Sequence, residues 1–134
     1  MKIKISTQIL PENKNIDYTS MYIGNVHILE DESCEEIILD DCLDYIPDRD
    51  EQLNICLKKL SPGGKLSMYG LDLFELARTI HVGQTSVAAA NSMLYNKKQS
   101  LDTLFRIITS FRNARLNIIT KRLDGLVYKI EVVK

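Results

Sequence analysis

The stretch from Glu35 to Tyr69 constrains this fold more than any other. It opens with EEIIL, a short apolar run bounded by charge, which is the pattern of a strand buried on both faces. A charged loop follows, DDCLDYIPDRD, with Pro47 as its breaker. Leu53, Cys56, Leu57 and Leu60 then recur at the spacing of one helical face, with acids in the first turn and Lys58 and Lys59 in the last, so both ends agree with the helix dipole. SPGG is expected to stop that helix, with glycine as the left-handed cap, and KLSMY leaves as a second strand. Strand, helix, glycine turn, strand is a crossover joining parallel strands, which makes the chain an α/β protein.

The flanking segments extend this frame. Met1 to Ser6 alternates as a short strand, and QILPENKN turns the chain through Pro11. NIDY and NVHIL read as two further short strands around TSMYIGN. Beyond the crossover, Leu71 to Ile80 and Ser86 to Tyr95 read as helices joined by HVGQT. A third helix spans Ser100 to Asn113, with Ser100 as its N-cap and Leu101, Leu104, Phe105, Ile108 and Phe111 on one face. The final run carries an Asp124-Gly125 pair between two β-rich segments, the signature of an antiparallel hairpin, here at the sheet edge.

A chain of 134 residues with 45% hydrophobic content suits a single domain. Its net charge of −1 and lack of a polybasic block argue against strong nucleic-acid binding. Cys34, Cys42 and Cys56 lie in strand or helix segments and are odd in number, as expected of inert core thiols in a reducing compartment. No CxxC pair or close histidine pair suggests a metal site, and no run suggests a membrane span or signal peptide, so the cytoplasm is the expected location.

The crossover resembles the fourth strand, loop, helix and fifth strand of class I S-adenosylmethionine-dependent methyltransferases. Leu43-Asp44-Tyr45-Ile46-Pro47 stands where the family has Leu-Glu-His-Val-Pro, and Leu60-Ser-Pro-Gly-Gly-Lys-Leu66 matches its Leu-x-Pro-Gly-Gly-x-Leu turn. The closing hairpin resembles the family's sixth and seventh strands, so the likeness runs from about Val26 to the end. It implies a Rossmann-like, mostly parallel methyltransferase sheet ending in an antiparallel hairpin, with S-adenosylmethionine as cofactor. The N-terminal part is reduced, because Ser6, Thr7 and Gln8 stand where the family has its glycine turn and no complete first helix is legible.

The resemblance also assigns residues. Ser6 and Asp17 fall at the cofactor's methionine and ribose positions, and Leu29, Glu30 and Asp31 at the adenine loop. Asp40 and Asp41 follow the fourth strand, where either can orient the sulfonium or take a proton from the acceptor. Asp44 and Tyr45 complete the candidate catalytic set, and Tyr69 and Asp72 are candidates for the acceptor pocket. With tyrosine replacing the family's histidine, a histidine-based proton step at that position is excluded. His81 reads as a surface or capping residue. Two functions follow: methyl transfer to an unidentified acceptor, or a catalytically inactive domain of the same fold acting as a binding or scaffold subunit. The reduced first-strand side would then be covered by a partner or by a second copy in a homodimer.

Overall fold

The structure, a computed structural model, describes residues 1–7 and 18–134. A six-stranded sheet has the order β2-β1-β3-β4-β6-β5. Strands β1 (Lys2–Ser6), β2 (Thr19–Tyr22), β3 (Cys34–Leu39) and β4 (Leu60–Leu71) run parallel. β6 (Val127–Val133) pairs antiparallel with β4, and β5 (Asn117–Asp124) antiparallel with β6 at the edge. Helix α1 (Arg49–Lys59) crosses from β3 to β4, and α2 (Leu73–His81), α3 (Val87–Leu94) and α4 (Leu104–Asn113) connect β4 to the hairpin.

Period-two alternation puts the core on one face of the sheet. Register aligns Ile3, Ile37, Leu66 and Val132 in one row and Ile5, Leu39, Met68 and Ile130 in the next, all no more than 1% exposed. Cys56 of α1 and Ile107 and Phe111 of α4 join the same cluster, so these helices pack on the apolar face. The opposite face carries Lys4, Ser67 and Glu131, and an ion pair at 2.9 Å between Lys65 and Glu36.

Several elements depart from the sequence reading. NVHIL is not a strand: residues 23–28 form a 3₁₀ segment, because Ile23 and Val26, three apart, eclipse on one side and bury together. NIDY falls largely outside the described residues, and the second strand is TSMY. The Pro-Gly-Gly turn does not cap α1. The helix ends at Leu60 in an extended conformation, and the glycines lie within β4, where the register shifts between Cys34 and Glu36. Gly63 takes a left-handed φ of 77°, and a side chain on Gly64 would collide with the Ser61 carbonyl at 2.8 Å. Helix α4 begins after Thr103, whose hydroxyl accepts from the Arg106 amide, while the Ser100 hydroxyl donates to Leu43 and Ile46 carbonyls. Phe105 is consequently rotated to solvent, and Ile107 takes the buried position. The hairpin forms as expected, turning on Gly125 at φ 63°.

Candidate functional site

β1 connects to β2 on one side, and the chain then returns past β1 to β3 on the other. The direction of winding therefore reverses between β1 and β3, and open α/β sheets bind ligands beyond the carboxyl ends of the strands at such a point. Here the Asp40 amide donates to the Ile5 carbonyl at 3.1 Å and the Asp41 amide to the Leu39 carbonyl at 3.2 Å, folding the chain sharply over the strand ends. Asp41 is held at φ 49°, a left-handed conformation that Asp tolerates better than most residues.

A cleft of about 610 Å³ opens at this rim, bordered by Ser6, Thr7, Asp40, Asp41 and Tyr45. Its far wall is the loop after α3, which contributes Asn96, Lys97 and Gln99. That loop is tied down by backbone amides of Gln99 and Ser100, which donate to the Asp44 carbonyl at 2.8 and 3.2 Å. A second cleft of about 710 Å³ adjoins the first and shares Asp41 and Asn96 with it. Tyr69, Leu71, Met93, Leu126 and Val127 make it largely apolar. Tyr69 and Leu71 alternate with Met68 along β4, so they point away from the core face and into this cleft.

The two acids between the clefts differ. Asp40 pairs with Lys4 at 2.9 Å. Asp41 makes no ion pair or side-chain hydrogen bond to the described residues; partial burial among the cleft walls raises its pKa, the charges of Asp44 and Asp40 add to the rise, and Lys98 opposes it. Lys98 lies 4.5 Å over the Tyr45 ring and 3.3 Å from Asp44. Burial works against its charge, but Asp44 and Asp41 more than offset this and hold its pKa above the ordinary lysine value.

Of the residues expected at the site, Ser6, Asp40, Asp41, Tyr45 and Tyr69 are brought together at this rim. Asp17 lies outside the described residues. Three corrections concern the rest. Leu29, Glu30 and Asp31 are at the opposite end of the sheet, because the 3₁₀ segment carries the chain back from the carboxyl end of β2 to the amino end of β3. There Asp31 pairs with Lys59 at 2.6 Å, and β3 alone separates this end from the clefts by roughly 17 Å.

Asp44 is 1% exposed and already occupied: it accepts from the Leu71 amide at 2.9 Å and contacts Arg49 and Lys98, both at 3.3 Å. Arg49 in turn donates to the buried Tyr128 hydroxyl at 3.0 Å and lies 3.6 Å from Asp102, so Asp44 belongs to a buried polar hub under the site. Asp72 is likewise no pocket residue. One of its oxygens accepts from the Glu75 amide at 2.8 Å and the other from the Leu104 amide at 2.7 Å, so one carboxylate holds the first turns of α2 and α4.

The sequence reading missed Asn96, Lys97, Gln99 and Met93. The available signal was topological: the aperiodic polar run NKKQ follows a parallel strand's carboxyl end, and connections on that rim border the site.

No protein-family model matches the chain, and no curated protein matches it in sequence. Solved structures do match in shape. An S-adenosylmethionine-dependent methyltransferase from Mesorhizobium loti superposes with a TM-score of 0.67 at 9% identity, over 98% of this chain and 89% of its own. A methyltransferase from Thermotoga maritima, described as a possible histamine N-methyltransferase, gives 0.64 at 13% identity over 99% and 81%. An O-methyltransferase family protein from Burkholderia thailandensis gives 0.60 at 17% identity. The match covers 88% of this chain and 35% of that protein, so the chain spans about a third of its length. The fold is that of the class I S-adenosylmethionine-dependent methyltransferases. With that correspondence β3, β4, β5 and β6 are the fourth to seventh strands, and two strands, β1 and β2, stand among the described residues where three precede the fourth. Among the described residues, no helix is long and apolar enough to cross a membrane.

Proposed function

We propose that this chain is an S-adenosylmethionine-dependent methyltransferase. The observation that carries the reading is the pair of adjoining clefts at the winding reversal, meeting at Asp41. Volumes of about 610 and 710 Å³ suit a nucleoside-sized cofactor and a small acceptor side by side. The polar cleft has the chemistry the cofactor requires, with the Asp40 carboxylate for its positive charges and Lys97 for its carboxylate. Ser6 and Thr7 replace the glycine turn at the floor of that cleft, and a cleft of this size persists beside them.

When bound, S-adenosylmethionine supplies an electrophilic methyl group on sulfur. The chain's part is alignment and charge, because an in-line displacement needs the nucleophile held in position more than it needs a strong base. Asp41 stands at the junction and receives the acceptor's proton; the Asp44 hub beneath it fixes Lys98 and the loop that closes the cleft. Adding S-adenosylhomocysteine to isotopically labelled protein is expected to shift the amide signals of Thr7, Asp40, Asp41 and Gln99. Signals of Glu30 and Asp31, at the other end of the sheet, should stay in place. Shifts confined to that other end, or none at all, would contradict the assignment.

The second reading, a binding or scaffold subunit, is favoured by the sheet edge. β2 has four residues, Ser20 and Tyr22 on it are exposed, and the strand that would flank it is missing among the described residues. A stable homodimer with no cofactor binding would support it.

A further inference from the structure

We infer that the acceptor is a small amine with an apolar body, bound in the second cleft with its nitrogen at Asp41. The inference rests on the methyltransferase reading and adds the substrate class. Tyr69, Leu71, Met93, Leu126 and Val127 make most of the cleft's walls, with Ser92 and Asn96 as its neutral polar groups, so the cleft favours a ligand with an apolar body. The charges at its rim decide the polar end. Lys98 is the cation lining the cleft, and Asp44 answers its charge at 3.3 Å. Lys129 stands 5.5 Å over the Tyr69 ring and is paired with Glu131 at 3.3 Å. Asp41 is the carboxylate lining the cleft, and no described residue pairs with it. An alcohol leaves that negative charge offset by Lys98 alone, without a direct pair, and a carboxylate ligand is repelled by it; an ammonium group pairs with it in a partly desolvated setting.

The backbone supports the same residue. Among the described residues four non-glycine residues have positive φ; Asp41 at 49° and Lys97, on the facing loop, at 63° border the clefts, while Glu32 and Arg115 lie away from them, and strained backbone of this kind is often kept at functional sites. Neither the Asp41 nor the Lys97 conformation is needed to close a hairpin or cap a helix of the fold.

The step balances as follows. The bound ammonium gives one proton to the Asp41 carboxylate and presents its nitrogen lone pair. That pair forms the new nitrogen–carbon bond as the carbon–sulfur bond breaks, and sulfur keeps the electrons of the broken bond. The sulfonium becomes a neutral thioether, the amine leaves as the methylated ammonium, and Asp41 returns its proton to water.

The test uses the full chain. S-adenosylhomocysteine is titrated first, and then phenethylamine, tryptamine and hexylamine, with their alcohol and carboxylate counterparts, are titrated into the loaded protein and followed by amide shifts. The expected result is shifts at Tyr69, Met93 and Val127 with at least tenfold tighter binding of an amine than of its alcohol, and a ratio near one in Asp41→Asn. Asparagine tolerates the left-handed conformation, so this variant keeps the local backbone. Binding of S-adenosylhomocysteine without amine preference, or with no amine binding in the series, overturns the substrate class and leaves the methyltransferase reading standing. No binding of S-adenosylhomocysteine overturns both.

Discussion

At the scale of single residues, the same chemical group takes opposite roles according to what surrounds it. Asp44 and Asp41 are three positions apart, yet one is saturated with donors and the other faces a cleft with no direct partner among the described residues. Asp44→Ala strands Arg49 and the Leu71 amide in the interior, and breaking a buried pair of this kind costs about 3–5 kcal/mol. Urea denaturation is the check; a variant of wild-type stability would return Asp44 to the list of candidate catalytic residues.

Asp41 behaves in the other direction. Its pKa is raised in the folded chain, so the native state holds the proton more tightly and stability falls as pH rises from the ordinary value of 3.8 through the raised one. Asp41→Asn removes this loss. The variant should melt above wild type at pH 7, and the gap should shrink as pH falls toward 3.8. A gap independent of pH would show that burial of the charge is not the cause.

Gly70 supplies a third case. A Cβ there would stand 2.5 Å from the Tyr128 hydroxyl oxygen, whose ring crosses the strand to reach Arg49. Gly70→Ala should cost about 1–3 kcal/mol by overpacking, measured by the same denaturation, and Tyr128→Phe should relieve part of that cost.

At the scale of elements, local signals succeeded where one segment settles its own shape. The α1 helix, the β3 strand and the Gly125 hairpin all form, although β3 buries one face fully rather than both, and Leu60, expected on the α1 stripe, begins β4. They failed where tertiary contacts choose among local options. Ser100 is a sound N-cap by type, but its hydroxyl goes to Leu43 and Ile46, and Thr103 takes the cap. Pro-Gly-Gly is a sound helix stop, but β4 begins before it.

One element-level coupling was illegible in sequence: Asp72 caps α2 and also accepts from the Leu104 amide at the start of α4, 32 residues away. Asp72→Ala removes the α2 cap and this second bond, at about 1 kcal/mol each, for a total of about 2 kcal/mol, while the Thr103 cap of α4 stays. Hydrogen exchange should show the first turns of α2 and α4 losing protection together; loss in α2 alone would contradict the shared carboxylate.

At the scale of the whole molecule, the crossover carried enough information to place the fold, because a parallel strand pair joined by an amphipathic helix leaves few topologies open. It also put Asp40, Asp41 and Tyr45 just after β3, where they border the candidate cleft. The adenine loop was misplaced because the short segment between β2 and β3 was read as a strand ending at the site, whereas it is a 3₁₀ passage to the far end of the sheet. The closing loop was missed because its residues reach the site from a distant part of the chain. What remains decisive is the first-strand end, where Ser6 and Thr7 stand in place of a glycine turn beside a cleft of about 610 Å³. Calorimetric titration of the folded chain with S-adenosylhomocysteine tests this most directly. The account predicts saturable one-to-one binding in the micromolar range, weakened when Asp40 is changed to alanine. Absence of saturable heat from natively folded protein, up to millimolar ligand, would contradict it.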